Sequence, residues 1–344
     1  MAYSNVGTPR FYVDYLLWLK TLGLPYIVPS ENTAGFDSSI LKSTISLNPS
    51  NQITLYNYEL LEQKYIQLPA PPAIAHPTIS GQNTRYFAVL GHNISSASSS
   101  INVHIEVGSN SPQNVVNLDT QYDGFSIGTD YNGLLTALTE GFDEVYRIYI
   151  ANGTNNLKVG CYSVGNYYQM PHSPELKLTM TREMGDGVKR LRTKGGADLV
   201  NHKYTKPAMW GDAGAWELYT GTPENQELSR IGRRSWSLSF NYLQDSDLFP
   251  AVSHVSWEGS LNEDGDTYGA EDGKGTSLLE SNDFYSQVIN RTMGAGNLPF
   301  IFQPDSNNNN PDQFAICKFD MKEFKLDQVA NGVYNVKLKI REVW

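Results

Sequence analysis

The chain has 344 residues, 40% hydrophobic and 18% charged, with a formal net charge of −10. That length favours two or three compact units, each able to bury a core without covalent staples. The acidic balance disfavours a nucleic-acid binder that grips phosphates, two cysteines cannot build a disulfide framework or a four-cysteine zinc site, and no apolar run is long enough for a spanning helix.

The residue types lean toward β structure. Tyr (21), Phe (13) and Trp (6) suit half-buried pleated surfaces, while 29 Gly and 17 Pro suit turns. Lys, Arg and Glu are sparse, so the surface must be covered by Ser, Thr, Asn, Gln and Tyr. Such surfaces occur on self-associating proteins and on carbohydrate binders. The N-terminus shows no basic run before an apolar core, so a secretory signal is not expected.

Taken in chain order, the first expected element is a helix over Phe11–Leu22, FYVDYLLWLKTL, with Gly23 as its C-cap and Pro25 preventing resumption. Residues 26–80 read as irregular with short strands at Ile53–Tyr56 and Tyr65–Leu68. The stretch Leu68–Ala73, LPAPPA, is a stiff extended connector. Tyr86–Leu90 reads as a buried strand ending in a polar loop at Gly91, His92 and Asn93. Ile101–Val107 alternates as a half-buried strand should. Strands follow at Val145–Ile150 and Leu157–Tyr162, with Asn152-Gly153 predicting a hairpin between them.

The character then changes. Residues 176–206 carry eight basic side chains against three acidic ones, punctuated by Gly185, Gly187, Gly195 and Gly196, which predicts long loops or a hairpin. Ser235–Tyr242 alternates as a strand. Residues 258–275 are rich in Gly, Asp and Glu and predict a loop. Ser281 or Asn282 is expected to cap a helix running to Met293 and stopped by Gly294. Leu298–Phe302, Phe314–Phe319 and Tyr334–Ile340 complete the strands. No internal repeat is visible, which removes propellers and solenoids.

Motifs for chemistry are missing. The acidic stretch around Asp264, Asp266, Glu271 and Asp272 fails the EF-hand pattern in either register. Starting at Asn262 puts Thr267 at the sixth position, and starting at Asp264 puts Gly275 at the twelfth. The six histidines fall in no short ligand spacing. There is no GxSxG, no P-loop and no strand-to-helix GxGxxG. Cys161 and Cys317 sit in apolar strands as small buried hydrophobes. Adjacent carboxylates such as Asp143-Glu144 would point to opposite faces of a strand. Neither an enzyme, nor a cofactor, nor a bound metal is expected.

The one sharp charge feature is the basic run Lys189, Arg190 and Arg192, continued by Lys194. It is a candidate assembly patch, with Asp264, Asp266, Glu271 and Asp272 as its acidic counterpart. No aromatic platform interleaves with the basic run, which disfavours single-stranded nucleic acid.

Several stretches carry a resemblance. Tyr86–Val107, with LGHN, a small-residue loop and an alternating strand, resembles the discoidin-like or galactose-binding-like jelly-roll of bacteriophage tail proteins. Leu157–Pro174 is similar to the strand and exit that close that domain. Gly185–Gly196, Gly232–Trp236, Leu298–Pro304 and Lys337–Trp344 resemble the β-rich second half of the distal tail family. The likeness spans residues 80–344 and rests on glycines and strand pattern. It implies an all-β chain of three parts: an extension over 1–44, a galactose-binding-like β-sandwich over 45–172 and a distal-tail-like β-rich domain over 173–344. It also implies a non-enzymatic component of the virion tail, made in the host cytoplasm. Its partners would be copies of itself, in a ring of six or three, and other tail proteins, with no membrane. The alternative is a receptor- or carbohydrate-binding module for a host-surface glycan. The ligand loop of that alternative would be Gly91–Ser99, with His92 and Asn93, although this loop lacks an aromatic platform.

Overall fold

The structure, a computed structural model, describes residues 6–23, 30–31, 40–49, 51–56, 65–68, 85–91, 102–107, 116–117, 133–137, 146–151, 156–176, 178–183, 188–202, 233–249, 281–294, 297–308 and 313–343. The chain is all-β, as its composition predicts. Its strands in order are β1 (Arg10–Asp14), β2 (Ser30–Glu31), β3 (Ile53–Tyr56), β4 (Tyr65–Leu68), β5 (Arg85–Leu90), β6 (Asn102–Val107), β7 (Val116–Asn117), β8 (Gly133–Ala137), β9 (Tyr146–Ala151) and β10 (Asn156–Val159). They continue as β11 (Cys161–Gln169), β12 (Thr179–Glu183), β13 (Val188–Arg192), β14 (Asp198–His202), β15 (Arg233–Gln244), β16 (Phe300–Gln303), β17 (Ala315–Phe319), β18 (Leu326–Ala330) and β19 (Val333–Glu342). Helical pieces are short: α1 (Tyr15–Leu22), a 3-10 turn at Ile40–Thr44, α2 (Asp245–Leu248) and a π-helical turn at Tyr285–Ile289.

Among the described residues, ten strands form one antiparallel sheet in the order β12-β15-β19-β17-β16-β1-β11-β5-β8, with β18 also pairing with β19. A five-stranded sheet runs β2-β4-β9-β6-β7, and two strand pairs stand apart, β3 with β10 and β13 with β14. Strand β1 lies at the middle of the large sheet. It pairs with β11 on one side (Phe11 opposite Tyr168) and with β16 on the other (Phe11 opposite Phe302). Strands from either side of residue 172 therefore meet in one ladder, through a segment from the start of the chain.

Both faces of this central seam are buried. On one, Phe11 sits among Phe284, Phe300 and Phe302 with ring centroids 5.3–5.6 Å away, and Trp236, Ile340 and Phe319 continue the layer. The π-helical turn covers it with Phe284, Val288 and Ile289. On the other face, Tyr12, Tyr86, Ala88, Leu90, Cys161 and Ile316 form a second cluster.

Burial on both faces explains a correction. Residues 11–14, expected as helix, are strand, and the helix begins only at Tyr15. A strand buried on both faces has no polar alternation to betray it, so FYVDY reads like the start of a greasy helix. Asp14 then caps α1, accepting the Leu17 N–H at 3.1 Å, and Gly23 ends it at φ 69° as expected.

Three further expectations change. Asn152-Gly153 lies outside the described residues, but the strands on either side of it are not paired as a hairpin: β9 pairs with β4 and β6 while β10 pairs with β3. The strand expected over 157–162 breaks at Gly160, where the chain passes from the β3 pair into the large sheet. A Cβ on Gly160 would lie 2.2 Å from the Pro49 carbonyl oxygen, so only glycine fits that passage. The helix expected from Ser281 or Asn282 is instead a π-helical turn. Asp283 accepts the Ser286 N–H at 2.8 Å, and Gly294 ends the segment at φ 76°.

Candidate assembly surface

The basic run lands on a two-stranded hairpin. Strands β13 and β14 pair in strict antiparallel register, with Arg190 opposite Val200, Leu191 opposite Leu199 and Arg192 opposite Asp198. Thr193–Ala197 makes the turn. Thr193 N–H donates to the Ala197 carbonyl at 2.9 Å, Thr193 Oγ1 accepts the Ala197 N–H at 3.0 Å, and Gly196 takes φ 86°. Lys194 stands exposed on that turn, and Arg190 and Arg192 are exposed on β13. Lys189 lies on the same strand opposite Asn201. Leu191 is 66% exposed and Leu199 55%, so a cross-strand leucine pair is open to water on the ribbon face opposite to that of Arg190 and Arg192. An isolated two-stranded ribbon has little stability of its own, and an exposed Leu pair adds an unmet hydrophobic demand.

A second exposed feature escaped sequence reading. Strand β15 is irregular between Phe240 and Leu243, where Tyr242 takes φ 60° and is 72% exposed. Its N–H donates to the Asn335 side-chain oxygen at 3.1 Å. Bulges re-aim side chains, and here one turns an aromatic ring outward at a backbone conformation that costs a non-glycine residue about 1 kcal/mol or more. Strand β18 is irregular between Gln328 and Ala330, across β19 from the same place, and there Val329 is 48% exposed. Alternation in the sequence has no mark for a bulge, so neither feature was legible.

The other sequence-predicted residues, Asp264, Asp266, Glu271, Asp272, His92 and Asn93, lie outside the described residues. Gly91, which opens the predicted ligand loop, takes φ 70° beside the Pro49 carbonyl.

The buried polar groups serve the fold. Arg234 and Glu342 form an enclosed ion pair: Nη2 lies 3.3 Å from Oε1 and donates to the Phe314 carbonyl at 2.9 Å, while the guanidinium lies over Trp236. Burial pushes both cysteine thiols well above the ordinary range, which suits packing and disfavours nucleophilic attack. Burial likewise raises Asp14 to about 7, with the Leu17 N–H and the Ser163 hydroxyl only partly offsetting it. Among the described residues no group of three or more His, Cys, Asp or Glu could hold a metal ion. No described helix is long and apolar enough to cross a membrane.

Comparison with protein-family models, with curated proteins and with solved structures finds no match to this chain.

Proposed function

We propose that this chain is a non-enzymatic structural component of a bacteriophage tail, at the tail tip, distal tail or baseplate, working by self-assembly and adaptor contacts. The virion assignment rests on the sequence resemblance. The assembly role rests on one structural observation: a cationic hairpin with an exposed leucine pair, set apart from the sheets. A ring of identical subunits needs two different complementary patches on each copy, and the hairpin supplies one of them.

Replacing Lys189, Arg190 and Arg192 together by Glu tests the reading. Native mass spectrometry at low and moderate salt should show the wild type as a multimer and the variant shifted toward monomer. A variant that assembles like the wild type in low salt would remove the hairpin from the assembly.

A further inference from the structure

We infer that the hairpin of one copy docks on the Tyr242 end of the large sheet in a second copy, making a head-to-tail contact. This rests on the assembly reading above and names the partner surface. Four observations carry it.

First, the two surfaces are opposite in charge. Residues 188–202 hold four Lys and Arg side chains against Asp198 alone. Residues 242–249 and 327–336 hold Asp245, Asp247 and Asp327, flanked by Lys325 and the exposed Lys337. Asp327 is engaged by Lys325 at 3.3 Å and the half-buried Asp247 accepts the Gln244 N–H at 3.0 Å, so Asp245 is the exposed carboxylate on offer, with the Asp247 charge beside it. Both lie on α2, anchored by the Asp245 N–H donating to the Gly332 carbonyl at 2.9 Å.

Second, each surface exposes apolar groups beside its charges. On the hairpin Val200 shares the face of Arg190 and Arg192, with Leu191 and Leu199 on the reverse face, and Tyr242 and Val329 lie on the sheet end. Leu176 is fully exposed next to Glu175, whose N–H bonds the Ser239 carbonyl at 2.8 Å, so it adjoins the same end. A flanked apolar centre with charges at its rim is the usual anatomy of a contact.

Third, the chain leads to the two surfaces from opposite ends of β15. Glu183, where the chain leaves β12 for the hairpin, is opposite Arg233 at the start of β15. Tyr242 lies near the other end of that strand, roughly 30 Å away at the usual rise per residue. The end of β12 from which the chain leads to the hairpin and the Tyr242 end therefore lie at opposite ends of β15, which suits a contact between copies.

Fourth, hairpin-on-hairpin pairing about a two-fold axis would set like charges together. The complementary arrangement is heterologous.

The test uses the full chain and charge reversal in both surfaces. Arg190, Arg192 and Lys194 are changed to Glu in one variant, Asp245 and Asp247 to Lys in another, and all five in a third. Four of the five are exposed and Asp247 is half-buried and caps α2, so thermal melts report whether each variant folds. Each single-surface variant should raise the concentration for half-assembly by about tenfold or more, and the combined variant should recover most of it. Mixing the two single-surface variants should restore multimers in which they alternate, because the intact hairpin of one meets the intact acceptor of the other and the two reversed surfaces also complement each other. Dispersal by hairpin reversal with full assembly after acceptor reversal overturns the inference and leaves the assembly reading standing. A wild type that is monomeric at every concentration overturns both.

Discussion

At the scale of single residues, Asp14 is the most consequential group. It sits where β1 hands over to α1, fully enclosed, with Ser163 beside it and Ser163 in turn 2.7 Å from the Tyr86 hydroxyl. Its carboxyl is held near 7 in the folded chain against an ordinary value of 3.8. The folded state therefore keeps a proton that the unfolded chain releases between these values. The associated stability is fully present below about pH 4 and is lost as pH rises to about 7, on the order of 4 kcal/mol in all. Asp14→Asn retains a capping oxygen and removes the titration. Urea unfolding at pH 5, 6 and 8 should show the variant gaining on the wild type as pH rises. A difference between the two that does not move with pH refutes the assignment.

At the scale of elements, the seam between β1 and β11 depends on the absence of a side chain. Gly165 faces Asp14 across the ladder, and a Cβ there would lie 1.9 Å from the Val13 carbonyl oxygen. Gly165→Ala must therefore push β1 off its partner. The expected loss is about 3 kcal/mol or more, read as a lower denaturation midpoint. An unchanged midpoint would mean the strands shift freely, against the close packing seen on both faces. Legibility in the sequence divides along the same lines. Strands with one wet face, such as Ser235–Tyr242 and Tyr334–Ile340, announce themselves by alternation, and the structure places β15 and β19 over them. The glycines in the basic segment predict long loops or a hairpin, and β13 and β14 form the hairpin. Strand β1 was misread because it has no wet face. Strand β18, LDQVA, was missed for the opposite reason: four of its five residues are exposed, so it has almost no buried face to read. Of the candidate surface, the basic charges were legible, whereas Asp245, Asp247 and the exposed Tyr242 were not, since a bulge is set by cross-strand register rather than by local pattern.

At the scale of the whole molecule, one ladder binds distant parts of the chain. Removing β1 would leave β12-β15-β19-β17-β16 and β11-β5-β8 without a shared edge. Amides of β1, β11 and β16 should therefore exchange with deuterium only when the whole sheet opens, at one common free energy. Those of the β13–β14 hairpin should exchange far sooner in the monomer and slow on assembly. Hydrogen exchange resolved by fragment checks both. Faster exchange in β1 than in β15 would show that the seam is not the common lock.

The central position of β1 also dictates when this protein acquires its shape during synthesis. Its partner β16 is made about 290 residues after it. At ribosomal speeds that is a wait of roughly 15–60 s. Throughout it, the apolar stretch Phe11–Leu19 lacks the wall it is built to fill. The seam cannot close until β16 has emerged from the ribosome, and until then β11, made earlier, is the one neighbour β1 can pair with.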